Sequence, residues 1–281
     1  GEGRIYVAAS WVHSLGKSDA VLLHAGWNED EKVYNKEHVP GAVFIDTDLI
    51  EEPVDWNVRT PQEIDMVLCE YGLSGNRLVI IYGDGTAAER VALVFMWAGL
   101  TQVKIMDGGL SEWKRLGYLT EKKPHYPHSV HSTGIPKIPT HPEYIITAPG
   151  EIRSKMANDP SLQLVSIRSI DEYNGKISGY PFIERKGEPL GVIWGGDYKD
   201  YLTPEGKVKP FNEILKDWKT KGIDSSKPMV FYCGTGWRAC LPLLLCMDNG
   251  LKDAQRLYDG GWYVWQKDPS NPINPQQPCS N

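Results

Sequence analysis

The chain repeats itself. AVLLHAG at 20–26, LVIIYGDG at 78–85 and IMDGGLSEW at 105–113 are answered, in the same order, by LQLVSIR at 162–168, PMVFYCGTG at 228–236 and LYDGGWYVW at 257–265. A period of about 150 residues is too long for a solenoid and right for a duplicated domain. Between the last two pairs each half carries an apolar segment of helical length, 87–100 and 238–248, closing near Gly99 and Gly250. Strands that alternate with helices in this way predict a mainly parallel sheet with helices on both faces. Each half is therefore expected to be an α/β domain.

The halves meet in EKKPHYPHSVHSTGIPKIPTHP (121–142), which is rich in Pro, His and Ser and has no sustained apolar period. The expected organisation is a domain over 1–124, a linker over 125–142 and a second domain over 143–281. Four of the seven histidines, His125, His128, His131 and His141, fall in the linker. A tract of this kind can bind metal, but a solvated linker is the better reading, and no metal is expected.

Bulk properties exclude several classes of function. A net charge of -6 over 281 residues gives no basic surplus for nucleic acid. The longest apolar stretches, VALVFMWAGL (91–100) and LPLLLCM (241–247), fall well short of the roughly 20 residues of a membrane helix. With 41% hydrophobic and 23% charged residues the chain reads as soluble and globular. It opens on Gly1 rather than Met, which suggests a processed or truncated N-terminus and leaves the compartment open, cytoplasmic or exported. Five cysteines (69, 233, 240, 246 and 279) without CxxC pairs argue against both a disulfide framework and a zinc site.

One cysteine stands apart. In MVFYCGTGWRAC (229–240) an apolar strand ends at Cys233, glycines follow, and a helix begins. The first half has the same strand but ends IIYGDG, with Gly83 or Asp84 at the corresponding place, so packing alone does not demand a thiol. Gly234 and Gly236 can adopt backbone angles closed to other residues, which lets successive amides turn inward as an anion-binding nest. The helix start and Arg238 add positive potential. Together they favour the thiolate, the nucleophilic form. Cys240 and Cys246 lie within the following apolar helix and read as core, while Cys69 and Cys279 have no constellation around them. A papain-like hydrolase needs a histidine base, and none follows His141. A cysteine phosphatase or arsenate reductase uses a similar amide cradle, but with five residues between Cys and Arg where GTGW supplies four.

On these residues the chain resembles the tandem-domain rhodanese sulfurtransferases. HVPGAVFIDTD (38–48) is similar to the family's HxPGAxxxD segment, both DGG segments match, GKISGY through PLGVIWGG follows the second-domain pattern, and CGTGWRA matches CxxGxRA. The resemblance implies two rhodanese-like domains, the first inactive in transfer and the second catalytic. It implies that Cys233 takes a sulfur from a small anionic donor as a persulfide and yields it to a thiol, cyanide or protein acceptor. Gly234, Thr235, Gly236, Trp237 and Arg238 would bind the donor, with Arg185 as a further contact. No cofactor is implied.

The donor is where the pattern departs from the family. CGTG approaches the CGSG of mercaptopyruvate-type members, and Arg185 in IERKG matches one of their two carboxylate-binding arginines. The other position holds Glu172 in IDEYNG, and the histidine position falls on Trp56. Thr235 stands where those members have serine, and Asp46 or Asp48 where they have aspartate. A carboxylate in place of a guanidinium repels a carboxylate substrate. Thiosulfate is therefore the expected donor, with 3-mercaptopyruvate as the alternative. A non-enzymatic persulfide carrier and a phosphatase or arsenate reductase remain as other classes.

Overall fold

A computed structural model describes residues 4–131, 133, 139–251 and 254–274. Among them the chain divides into two compact units. One comprises the chain up to Pro53, Val58–Pro142 and Leu202–Val208; the other comprises Val54–Asn57, Glu143–Tyr201 and the chain from Lys209 onward. The stretch 125–142, expected as a linker, groups with the first unit because its backbone bonds back to it. Val130 N–H donates to the Cys69 carbonyl at 2.8 Å, and His141 N–H to the Trp97 carbonyl at 3.1 Å. Cys279 lies outside the described residues.

The first unit runs β1 (Tyr6–Val7), α1 (Ala9–Ser14), β2 (Val21–Gly26), α2 (Asp30–Lys36), β3 (Val43–Asp46), α3 (Pro61–Glu70), β4 (Val79–Gly83), α4 (Ala87–Ala98), β5 (Val103–Met106) and α5 (Gly109–Arg115). Its strands form a five-stranded parallel sheet in the order β1-β5-β4-β2-β3. The second unit runs β6 (Ile145–Ile146), α6 (Pro149–Asn158), β7 (Gln163–Ser166), α7 (Ile170–Tyr173), β8 (Ile193–Trp194), α8 (Phe211–Thr220), β9 (Met229–Tyr232), α9 (Cys240–Asp248), β10 (Gln255–Tyr258) and α10 (Gly261–Trp265). Its order, β6-β10-β9-β7-β8, is that of the first sheet. The duplication read from the sequence is thus a duplication of topology.

Strand alternation explains why the central strands are apolar throughout. In β9, Val230 and Tyr232 pack with Ile152 of α6 and Trp262 and Trp265 of α10. The alternate residue Phe231 points the other way and meets Trp218 of α8, ring centroids 5.9 Å apart. A strand covered on both faces has no polar side, as parallel sheets require. Helix α9 is buried along Cys240–Cys246, and a helix apolar on all sides belongs in a core. Among the described residues no helix is long and apolar enough to cross a membrane.

Candidate active site

The C-terminal ends of β9 and β7, with the start of α10, build one polar cluster in the second unit. Cys233 follows the last residue of β9 and is buried. The loop turns back over it: Gly236 N–H points at Cys233 Sγ at 3.3 Å and Ala239 N–H at 3.5 Å. Gly236 has φ +96°, the left-handed region that glycine enters without penalty, and this turns its amide inward. Two N–H groups are thus aimed at one sulfur, but they are not the successive amides expected of the loop: the second, Ala239, lies just beyond Arg238. The base of the loop is fixed from below. Trp262 N–H donates to the Cys233 carbonyl at 2.8 Å and Tyr263 N–H to the Gly234 carbonyl at 3.1 Å. A Cβ on Gly261 would stand 2.5 Å from both carbonyl oxygens, so the second DGG segment is glycine here because backbone meets backbone.

The corresponding position of the first unit cannot hold a side chain. A Cβ on Gly83, at the end of β4, would come 2.2 Å from the Ala25 carbonyl oxygen. The two halves share a strand and differ in the space left beyond it.

Arg238 does not point a bare charge at the loop. Its Nη1 donates to Glu172 Oε1 at 2.7 Å and its Nη2 to Glu172 Oε2 at 3.0 Å, a bidentate pair, while Nη1 also reaches Asp197 Oδ1 at 3.3 Å. Glu172 is in turn bonded by Arg168 Nε at 3.1 Å. It also closes a capping box on α7: Ser169 Oγ accepts from Glu172 N–H, and Glu172 Oε1 accepts from Ser169 N–H. Burial alone pushes the Glu172 carboxyl up, but Arg238 and then Arg168 outweigh it and hold the pKa at about 2. Behind them Glu188 is pushed up to about 8 by burial, which Arg168 and the Ser166 hydroxyl only partly offset. At neutral pH two guanidinium groups therefore face the ionised Glu172 carboxylate and a protonated Glu188, with Asp197 Oδ1 3.3 Å from Arg238. The donors aimed at the Cys233 sulfur itself are the Gly236 and Ala239 amides of its own loop.

The sequence places Glu172 where a carboxylate-binding arginine stands in mercaptopyruvate-type members and reads it as a solvated helix-start charge; it does stand in the first turn of α7, but buried, as a partner of two arginines. Arg185 lies elsewhere, bonding Gln266 O through Nη1 at 3.0 Å and offering its own carbonyl to Trp262 Nε1 at 2.7 Å. No carboxylate pairs with it among the described residues. Thr235 and Trp237 are half-buried on the loop, and the Thr235 hydroxyl makes no hydrogen bond among the described residues. Trp27, Asp46 and Asp48 belong to the first unit, where Trp27 Nε1 donates to Asp48 Oδ1 at 2.9 Å.

Tyr180 was missed by sequence reasoning although it sits in the quoted GKISGY. Its ring covers Gly234 so closely that a Cβ there would fall 2.1 Å from Tyr180 Cε2. Its hydroxyl accepts from Arg238 Nη2 at 3.1 Å. Burial raises the phenol pKa, so the hydroxyl keeps its proton at neutral pH. Beyond Tyr180 lies an aromatic cluster. Phe182 meets Tyr180 at 5.2 Å, Tyr263 at 5.5 Å and Trp56 at 4.9 Å between centroids, and Trp56 meets Tyr263 at 5.0 Å. Trp56 takes part because Val54–Asn57 belongs to the second unit.

The rhodanese-like domain family matches residues 8–116 and again 149–268. Thiosulfate sulfurtransferase YnjE of Escherichia coli (strain K12) is 33% identical over 95% of the chain, and the chain spans 64% of that relative's length. 3-Mercaptopyruvate sulfurtransferase of Mus musculus is 28% identical, with 93% of this chain and 92% of the relative covered. Among solved structures, the anaerobic ergothioneine biosynthesis enzyme from Chlorobium limicola, in complex with its natural substrate trimethyl histidine, superposes with a TM-score of 0.89 at 30% identity. It covers 98% of this chain and 71% of that one.

Proposed function

The chain belongs to the rhodanese family, a family of sulfurtransferases, and from that premise we propose that Cys233 carries sulfur from an anionic donor to a thiophilic acceptor. The observation that supports this most directly is the pair of amides, Gly236 and Ala239, aimed at a buried Cys233 Sγ, in a half whose twin has no room for a side chain. Amides fixed at that distance stabilise a thiolate and then the anion of a persulfide, with no reorganisation needed during the reaction.

With thiosulfate, the thiolate attacks the outer sulfur. The Cys233 S–S bond forms as the sulfur–sulfur bond of the donor breaks, and sulfite leaves with the electron pair. An acceptor thiolate or cyanide then attacks the outer sulfur of the persulfide and Cys233 departs as thiolate. Thiosulfate is favoured over 3-mercaptopyruvate because a carboxylate clamp needs two available guanidinium groups. Glu172 holds Arg238 in a bidentate pair, which leaves Arg185, without a carboxylate partner among the described residues, as a single cation for a carboxylate. Steady-state assays with cyanide as acceptor test this: kcat/KM should be higher for thiosulfate, and a clear preference for 3-mercaptopyruvate overturns the donor assignment.

The aromatic cluster favours a second reading for the acceptor. Rings of this cluster already take cations, Lys267 over Tyr263 at 4.1 Å and Arg238 over Tyr180 at 5.9 Å, and a quaternary ammonium group is attracted by the same aromatic faces. The structural relative from Chlorobium limicola takes trimethyl histidine. On this reading the persulfide sulfur passes to a trimethylammonium imidazole. Incubating the persulfide form with trimethyl histidine and finding the thiolated product by mass supports it; its absence, while cyanide still discharges the enzyme, removes it.

A further inference from the structure

In the first unit, far along the sequence from Cys233, three side chains converge that the function above leaves unused. His38 is fully buried. It forms an isolated antiparallel bridge with Glu121, the two residues exchanging N–H···O bonds of 2.9 Å each way, so their side chains start from backbones locked to each other. His125 is fixed as well: its N–H donates to the Tyr34 hydroxyl at 3.0 Å. His38 Nε2, Glu121 Oε1 and His125 Nε2 all lie within 4.8 Å of one another, with the glutamate oxygen 3.6 Å from His38 and 2.5 Å from His125.

The surroundings of His38 carry a conflict that points to a cation. Its Nδ1 faces the Tyr34 carbonyl at 2.7 Å and its Nε2 the Lys123 carbonyl at 2.8 Å. Carbonyl oxygens only accept, so a neutral imidazole leaves one ring-nitrogen lone pair facing an oxygen. A metal ion removes the conflict. Nδ1–H would keep its bond to Tyr34, which fixes the tautomer, and the Nε2 lone pair would turn to the ion. The Tyr34 ring stacks on His38 at 3.9 Å and holds its plane. Gly41 N–H donates to Glu121 Oε1 at 2.8 Å and orients the carboxylate.

We propose that His38, Glu121 and His125 bind a divalent first-row transition-metal ion, zinc foremost, through the Nε2 atoms of both histidines and the glutamate carboxylate. Two imidazoles and a carboxylate suit zinc, with metal–ligand distances of about 2.0–2.2 Å and ligands therefore roughly 3.3 Å apart. The His125–Glu121 contact must open for this, and His125 can move because its side chain is 33% exposed. A cleft of ≈ 1020 Å³ lined in part by Gly41, Glu121 and His125 provides entry. The ion would tie the segment after α5 to the HVPG turn. Coordination needs unprotonated ligand atoms, so affinity falls as pH is lowered.

The test uses the full chain carrying Cys233→Ser, which removes the thiol as a competing ligand, after stripping with a chelator. Calorimetric titration with zinc chloride at pH 7.5 should show one ion per chain and release of protons, and thermal unfolding should shift upward. His125→Ala and Glu121→Gln, both at partly exposed side chains, should each weaken binding at least tenfold. Absence of stoichiometric uptake, or binding that either variant leaves intact, overturns the proposal.

Discussion

Glu172 and Arg238, 66 positions apart, form a buried bidentate ion pair with bonds of 2.7 and 3.0 Å, and Arg168 bonds the same carboxylate. The cation nearest the Cys233 loop is thereby neutralised, and the pair becomes part of the scaffold that sets the loop's shape. Removing the carboxylate leaves two buried guanidinium groups short of a partner. Glu172→Gln should cost about 3–5 kcal/mol by denaturant unfolding. A loss within about 0.5 kcal/mol would mean the pair does not hold the loop.

The same carboxylate gives an acid limb. Its folded pKa of about 2 is depressed below the ordinary value of 4.5, so its contribution is present above that ordinary value and is lost as pH falls toward the folded one. Unfolding free energy should fall between about pH 4.5 and 2, and Glu172→Gln should flatten that part of the profile.

Glu188 gives the opposite slope. Its folded pKa, about 8, is raised, so the native state binds the extra proton. Its contribution is complete below the unfolded value of 4.5 and is lost as pH rises through about 8. The thermal midpoint should drop by at least about 3 °C between pH 6 and pH 8.5. In Glu188→Gln that drop should shrink, because an amide has no proton to lose; an unchanged profile would assign the slope to another group.

Tyr180 lies on Gly234 with no space between them. Gly234→Ala should slow sulfur transfer at least tenfold by pushing the ring and the loop apart. Adding Tyr180→Ala should recover part of the loss, since the two residues share one contact and their effects are not additive. Strict additivity in kcat/KM would show that the alanine acts through the backbone alone.

The duplicated sheet was legible in the sequence because both of its signals are local: apolar strands of a few residues, and a DGG segment in each half, the second of which sets Gly261 against the Cys233 and Gly234 carbonyls. Cys233 could be singled out for the same reason, its counterpart Gly83 serving as a control within one chain. The partners of the loop were not legible. Arg238 meets Glu172, Asp197 and Tyr180 across separations of 66, 41 and 58 residues, and no local periodicity encodes such pairings. The proline- and histidine-rich stretch read as a linker for a related reason. Its bonds to Cys69 and Trp97 are made by backbone groups, which leave no trace in side-chain pattern.

The most direct measurement is the intact mass of the protein after incubation with thiosulfate and removal of excess donor. The wild-type chain should gain one sulfur atom, lose it on addition of cyanide, and gain none when Cys233 is replaced by serine. A sulfur adduct that survives Cys233→Ser, or a wild-type chain that gains nothing while its fold is intact, would contradict the assignment of Cys233 as the sulfur carrier.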